Sequence, residues 1–305
     1  MDMYQKRKIR AEKKNNQQNN EVEKIGINWY PGHMAKTKRE ISEKINLIDM
    51  VLEVIDARIP LSSKNKEIDS LTKNKPRILI MTKKDLCDEQ ITNNWKKYYE
   101  EKGYQVLLVD LLHDKNLNSI FSKIDTIAQE LNKKRQAKGL KPRKTRILIL
   151  GIPNVGKSTL INRLVGKKAT NVGNKPGITK NLEWIRINAY LELLDTPGIL
   201  WPKLEGKNTA LNLASMTAIK EEILNKEQVS IYILETLKKY YPEFLKQRYQ
   251  IENLEDTPKI IDTIGQKIGA ISKNEVDIEK VSTIILKDLR EGSLGKVTFD
   301  RFEQN

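Results

Sequence analysis

Short, unbroken apolar runs punctuate the first two thirds of this chain, and the last third switches to helical spacing. Ile48–Asp56 (IDMVLEVID), Arg77–Met81 (RILIM), Tyr104–Val109 (YQVLLV) and Arg146–Leu150 (RILIL) are rich in Ile, Leu and Val and bounded by polar residues or glycine. Runs of this kind predict strands buried on both faces. Leu182–Ile187 and Tyr190–Leu194 predict two more. Glu89–Gly103 carries polar and aromatic residues with a terminal glycine and reads as a helix, as does Lys157 to about Val165. Strands alternating with helices imply a largely parallel sheet covered on both sides. From about Leu204 apolar residues recur in sets such as Leu211, Ala214, Ala218; Ile231, Leu234, Leu237; Ile261, Ile264, Ile268; and Val281, Ile284, Ile285, Leu289. Tyr241-Pro242, Gly265 and Gly269 read as breaks between them. The expected fold class is α/β followed by an all-α domain over 204–305.

Composition adds compartment and charge. The chain has 305 residues, a net charge of +15 and one cysteine, Cys87. A lone cysteine forbids an internal disulfide and suits a reducing compartment. No apolar run reaches the roughly 18–20 residues that span a bilayer, so no membrane role is expected. Residues 1–24 read as a basic disordered tail, since the first twenty lack the apolar core of a signal peptide and the serines of a transit peptide. A cytoplasmic protein is expected.

Charge is unevenly placed: 15 Lys/Arg against 17 Asp/Glu from Glu205 onward, but 40 against 23 before it. Asn132–Arg146 (NKKRQAKGLKPRKTR) holds eight basic residues and no acidic one, and reads as a basic linker. Such a block either binds nucleic-acid phosphates or is simply solvated. Lys238, Lys239, Lys246 and Arg248 offer a second basic face under the same two readings.

The chemistry lies in three motifs. Gly151-Ile-Pro-Asn-Val-Gly-Lys-Ser158 follows a strand and opens a helix, the context in which backbone N–H groups wrap a phosphate. Asn154, Val155, Gly156, Lys157, Ser158 and Thr159 then line the phosphates; Lys157 reaches the β- and γ-groups and Ser158 gives Mg²⁺ an oxygen. Asp195-Thr-Pro-Gly198 ends a later strand. Asp195 suits the metal side through water, and the Gly198 N–H suits a γ-phosphate. Between them Thr179, in Lys175-Pro-Gly-Ile-Thr179, can close over the metal. Thr82-Lys83-Lys84-Asp85 follows RILIM. Asp85 can accept two hydrogen bonds from a guanine edge, which adenine cannot donate, and Lys83 would lie along the base.

The order is unusual. A nucleotide-binding domain of this kind normally has its phosphate loop first and its base reader last, and here the reader comes first. The second half of the domain has moved to the front, leaving a circularly permuted P-loop GTPase domain over 25–203, its halves joined by the linker 132–146. The chain therefore leaves the domain from the γ-phosphate sensor, through Ile199–Trp201, into the helical domain.

These residues resemble the circularly permuted GTPases of the ribosome biogenesis GTPase A family (RbgA, also called YlqF). The matching segments are Asn28-Trp-Tyr-Pro-Gly-His-Met-Ala-Lys36, Asp56-Ala-Arg-Ile-Pro60, Gly151–Thr159, Pro176-Gly-Ile-Thr179 and Asp195-Thr-Pro-Gly-Ile-Leu-Trp-Pro202. The resemblance implies a GTPase acting late in assembly of the large ribosomal subunit. Its partners would be the subunit precursor, ribosomal RNA and ribosomal proteins, and the helical domain would help engage RNA. It also implies that His33 positions the attacking water, because Ile199 stands where other GTPases carry a glutamine. The other reading of His33 is an aromatic-proline turn that docks the N-terminus. Asn154 is the residue that coordinates K⁺ in cation-dependent members, so Mg²⁺ and K⁺ are the expected cofactors. A monomer is expected, slow alone and stimulated by the subunit.

Two departures bear on nucleotide affinity. Thr82 replaces the usual asparagine and is expected to lose an amide that braces the loop. The base-capping loop reads Val109-Asp110-Leu111-Leu112-His113 instead of a small serine-containing turn, which places Asp110 and Leu111 at the base. The non-enzymatic alternative is a GTP-regulated RNA-binding scaffold that barely hydrolyses GTP.

Overall fold

The computed structural model describes residues 32–72, 75–166, 182–198, 206–219, 225–272 and 274–302, without the side chains of Gly32, His33 and Glu67. They fall into two compact units, one built on a sheet and one helical. In the sheet unit, helix α1 (Gly32–Lys44) precedes strand β1 (Met50–Asp56), helix α2 (Lys66–Leu71), strand β2 (Arg77–Thr82), helix α3 (Glu89–Glu101) and strand β3 (Gln105–Leu108). Helix α4 (Asn118–Gln136), strand β4 (Thr145–Gly151), helix α5 (Lys157–Val165) and strands β5 (Glu183–Arg186) and β6 (Leu191–Asp195) follow. The sheet order is β3-β2-β1-β4-β6-β5, with every pairing parallel except β5 with β6.

That order explains why moving half the domain is harmless. Strand β1, from the front of the chain, pairs with β4 from the back, so the two halves form contiguous blocks that meet side by side at the sheet centre, whichever comes first in the chain. Asp56 stands opposite Thr82 and Val54 opposite Gly151, so the base reader and phosphate loop leave one edge of the sheet. Carboxyl ends of parallel strands are where such folds bind ligands. The central strands are fully buried, with Val51, Leu52, Ile78, Leu79, Ile149 and Leu150 at 0% exposure. Glu53 is buried among them. Lys64 and Arg77 reach its carboxylate at 3.4 and 3.0 Å, and burial still pushes its pKa up against their pull.

The helical unit contains α6 (Lys207–Ser215), α7 (Lys226–Tyr240), α8 (Pro242–Tyr249), α9 (Thr257–Lys267) and α10 (Ile278–Glu291). Asn225 and Asp277 cap α7 and α10 through backbone N–H groups three residues on. Leu213, Val229, Ile233, Leu234, Ile264, Val281 and Ile285 make the core.

Several expectations need correction. The helical unit is not all-α: a two-stranded hairpin, β7 (Ile271–Ser272) with β8 (Glu275–Val276), lies between α9 and α10. Gly265 is no breaker. It sits inside α9, where a Cβ would come within 2.3 Å of Val276, so glycine lets the helix meet the hairpin. The basic stretch is a free linker only in its middle, because α4 runs through Gln136 and β4 begins at Thr145. Asp300–Phe302 belong with the sheet unit, although they follow the helical one in the chain. No helix among the described residues is long and apolar enough to cross a membrane.

Candidate functional site

The phosphate loop is shaped by close backbone approaches. A Cβ on Gly151 would lie 2.4 Å from the Val54 carbonyl oxygen, so β4 reaches its turn beside β1 only as glycine. Gly156 turns the chain into α5 at φ +101°, a left-handed conformation that suits glycine. Asn154 sits half-buried at φ +57°, and Ser158 and Thr159 occupy the first turn of α5. Lys157 donates from Nζ to the carbonyls of Gly151 (3.0 Å) and Ile152 (2.9 Å). An ammonium has three donors, so one remains for a phosphate while two anchor the side chain. Burial lowers its pKa to about 8, with Asp195 opposing.

Asp195 closes β6 in the same region, and Thr196 fastens that strand end by donating to the Ile149 carbonyl at 2.8 Å. Burial raises the Asp195 pKa to about 6, with Lys157 pulling the other way. Its Oδ1 is buried and has no hydrogen-bond partner among the described residues. A carboxylate oxygen left open inside the fold suits a water shared with Mg²⁺, and Ser158 is the protein oxygen beside the loop. Gly198 rests on the phosphate loop, where a Cβ would meet Pro153 N and Cα at 2.6 Å. The expected sensor and phosphate loop are therefore in backbone contact. Thr179, Ile199 and the His33 side chain lie outside the described residues.

The guanine side is wired differently. The Thr82 hydroxyl lies 2.6 Å from the Val155 carbonyl of the phosphate loop and 3.1 Å from the Ile55 carbonyl. A hydroxyl has one proton, and the shorter contact takes it. The expectation that replacing asparagine removes the brace is thus corrected: Thr82 still ties reader to phosphate loop. Lys83 adopts a left-handed backbone at φ +62°. Its Nζ pairs with Asp56 at 2.7 Å, so the ammonium is held by β1 and only the stem is left for a base. Burial lowers its pKa, and Asp56 pulls against that. Lys84 points away, 3.8 Å from Glu89.

Asp56 is the hub that reading the sequence missed, although Asp56-Ala-Arg-Ile-Pro60 stood out as a segment. Its carboxylate also accepts from the Arg58 backbone N–H, Nε and Nη2 at 2.9–3.0 Å. Burial pushes the Asp56 carboxyl up, but Arg58 and Lys83 outweigh it and hold it far below the usual range.

The variant capping loop is self-braced. Asp110 Oδ1 accepts the Leu112 and His113 N–H groups, and His113 Nδ1 lies 2.7 Å from Oδ2. Arg163 on α5 reaches the carbonyls of Leu111 (3.0 Å) and Asp114, fastening this loop to the phosphate helix. One atom each of Asp85, Asp110 and His113 comes within 4.8 Å of the others. Burial raises the Asp85 pKa, and Asp110 adds to it. His113 therefore belongs to the base side of the site.

The basic stretch is partly spent within the domain. Arg135 and Arg143 both pair with Asp49, and Lys144 and Arg146 with Glu192. Lys133, Lys134, Lys138 and Lys141 are exposed and make no ion pair among the described residues. On the helical unit Lys238, Lys246 and Arg248 pair with Glu235, Glu243 and Asp288.

Comparison with known proteins agrees with this geometry. Residues 146–267 match the family described as 50S ribosome-binding GTPase, and residues 67–205 match RsgA GTPase. Ribosome biogenesis GTPase A of Bacillus cereus is 43% identical over 91% of this chain and 95% of its own length. The Priestia megaterium protein of that name is 46% identical over 90% and 96%. The crystal structure of GNP-bound YlqF from T. maritima superposes with a TM-score of 0.60 at 26% identity, covering 87% of this chain and 98% of that one. A phosphate loop, its sensor and a guanine reader on one sheet edge, in permuted order, and identity of this extent place the chain in the ribosome biogenesis GTPase A family, as a circularly permuted GTPase with a helical C-terminal unit.

Proposed function

We propose that this GTPase is a late assembly factor of the large ribosomal subunit, binding the precursor's RNA and proteins in its GTP state and leaving after subunit-stimulated hydrolysis. The observation that carries this reading is the seating of Gly198 on Pro153, with the chain running from there into the helical unit. A γ-phosphate between sensor and phosphate loop bears on the peptide that leads from the sensor to the next unit. The names of the relatives support the ribosomal setting. The exposed Lys133, Lys134, Lys138 and Lys141 support contact with nucleic-acid phosphates, by the counterion release such contacts gain.

In this reading Lys157 holds the β- and γ-phosphates, and Asp85 accepts the guanine edge. Gly156, the first turn of α5 and Gly198 offer backbone N–H groups. Ser158, Thr179 and, through water, Asp195 would hold Mg²⁺, and Asn154 would hold K⁺. Bound there, the two cations would neutralise charge that builds on the phosphates. Ile199 cannot orient a water, and His33 takes that role, its imidazole able to accept or donate near neutral pH. The protein acts as a monomer in the cytoplasm.

The test is GTP turnover in K⁺ buffer, with and without large subunits, for wild type and His33→Ala. Subunit stimulation that collapses in the variant supports both the assembly role and His33. Stimulation that survives makes His33 a docking residue. Tight GTP binding without stimulation turns the reading into that of a GTP-regulated RNA-binding scaffold.

A further inference from the structure

The last described residues return to the nucleotide domain at an unexpected place. Asp300, 6% exposed, accepts the backbone N–H groups of Leu61 and Ser62 on Oδ2 (both 2.7 Å) and the Ser62 hydroxyl on Oδ1 (2.6 Å). The Trp95 indole donates to the Asp300 carbonyl at 3.0 Å. Phe302 packs against Trp95 and Tyr98, with ring centroids 4.4 and 5.2 Å away. Three bonds to one buried carboxylate and two aromatic contacts make this a fixed attachment, since charged acceptors give the strong hydrogen bonds.

What it attaches is the turn that carries the Asp56 hub. Ser63, next to Ser62, accepts the Asp56 N–H at 3.0 Å and donates to Ile59 at 2.6 Å. Thr92 and Tyr99 on α3 hold the same turn at Ala57 and Pro60. Asp56 in turn fixes Lys83, the residue beside Thr82 and two before Asp85. The preceding residue, Phe299, is buried in the helical unit against Tyr232. Phe299 and Asp300 thus belong to different units, and Asp300 and Phe302 are held within the sheet unit.

We propose that Asp300 is a positioning residue for the guanine reader: by fixing the Leu61–Ser62 turn it keeps Asp56, and through it Lys83, in register with the base. The inference rests on the guanine-site reading above.

The experiment measures dissociation of a fluorescent GDP analogue, together with Tm, kcat and KM for GTP. It compares wild type, Asp300→Ala, Asp300→Asn, Phe302→Ala and Ile68→Val. Ile68 is buried in α2 within a core cluster with Ile41, Ile48 and Val51 that includes neither Asp300 nor Phe302, so its variant controls for general softening. Asp300→Ala is expected to release GDP about tenfold faster and raise KM with kcat nearly unchanged. Asp300→Asn, which keeps one acceptor oxygen, should fall between it and wild type. If Asp300→Ala does not fold, Phe302→Ala and Asp300→Asn carry the test. Release within twofold of wild type alongside a lowered Tm overturns the proposal, as does equal acceleration in Ile68→Val. A wild type that holds ATP as well as GTP fails earlier, at the guanine reading itself, and takes the proposal with it.

Discussion

The two halves of the nucleotide site are built on opposite principles. On the phosphate side polar groups are buried with valences left open: Asp195 Oδ1 has no partner among the described residues, and Lys157 holds one donor in reserve. On the guanine side the hub carboxylate is saturated, and the one open valence beside it is the buried Arg58 Nη1, which has no partner among the described residues. Asp56 takes four hydrogen bonds, Thr82 crosses to the phosphate loop, and Asp110 closes its own turn. Open valences cost stability and suit a ligand that brings charge and metal. Saturated ones hold a rigid template for a neutral base edge, whose few hydrogen bonds discriminate only if they are already in place.

Breaking the guanine side should therefore cost folding. Asp56→Ala strands the Arg58 guanidinium, 2% exposed, without its carboxylate. Loss of one partner of a buried pair typically costs about 3–5 kcal/mol, so urea unfolding should show a drop of that size. A loss under about 1 kcal/mol would mean the hub is not the organiser described here. Damage to the phosphate side should instead appear in turnover. Gly198→Ala pushes a methyl into Pro153, and displacement of the sensor by about 1 Å should lower subunit-stimulated turnover roughly 100-fold with little change in GDP binding. If GDP affinity falls equally, sensor and loop are not separable.

The smallest effect sharpens the contrast by its sign. The folded-state pKa of Asp195 is raised from 3.8 to about 6, so the folded protein keeps a proton that the unfolded chain has lost between those values. Stability is therefore lost as pH rises from about 4 to about 6 and stays lower above it. Asp195→Asn removes the charge. Without nucleotide it should be more stable than wild type at pH 8, by on the order of 2 kcal/mol, with the gap closing near pH 4. Thermal unfolding at the two pH values checks this. A variant less stable at pH 8 would mean that the carboxylate is structurally satisfied.

Much of the fold was legible. Every predicted strand is present within a residue or two, and Lys157–Val165 is a helix as expected, because dense Ile/Leu/Val runs and a glycine turn are local signals. Helices α1, α2 and α4 escaped notice, since their polar faces hide the apolar period in a lysine-rich sequence. Gly265 looked like a break because a glycine within helical spacing does not reveal that a hairpin presses on it. Within the site, Lys157, Asp195, Gly198 and Asp85 stand at the sheet edge that their motifs required. The prediction failed on who holds whom: Lys83 turned to Asp56, Thr82 kept its brace, and half the linker's charge went to Asp49 and Glu192.

The sequence by itself determined the family, the permuted order of the motifs and the residues that gather where the parallel strands end. Those depend on short spacings, where the backbone of a few consecutive residues must wrap a phosphate or end a strand. Tertiary structure alone decided which charges are spent internally and which stay available. The return of Asp300 to a turn 239 residues earlier is the extreme case. An aspartate near the end of a chain carries no local mark of its partner, because its hydrogen bonds go to backbone N–H groups that any residue could supply. Its role exists only once the fold has brought the Leu61–Ser62 turn, with backbone N–H groups short of acceptors, beside Asp300.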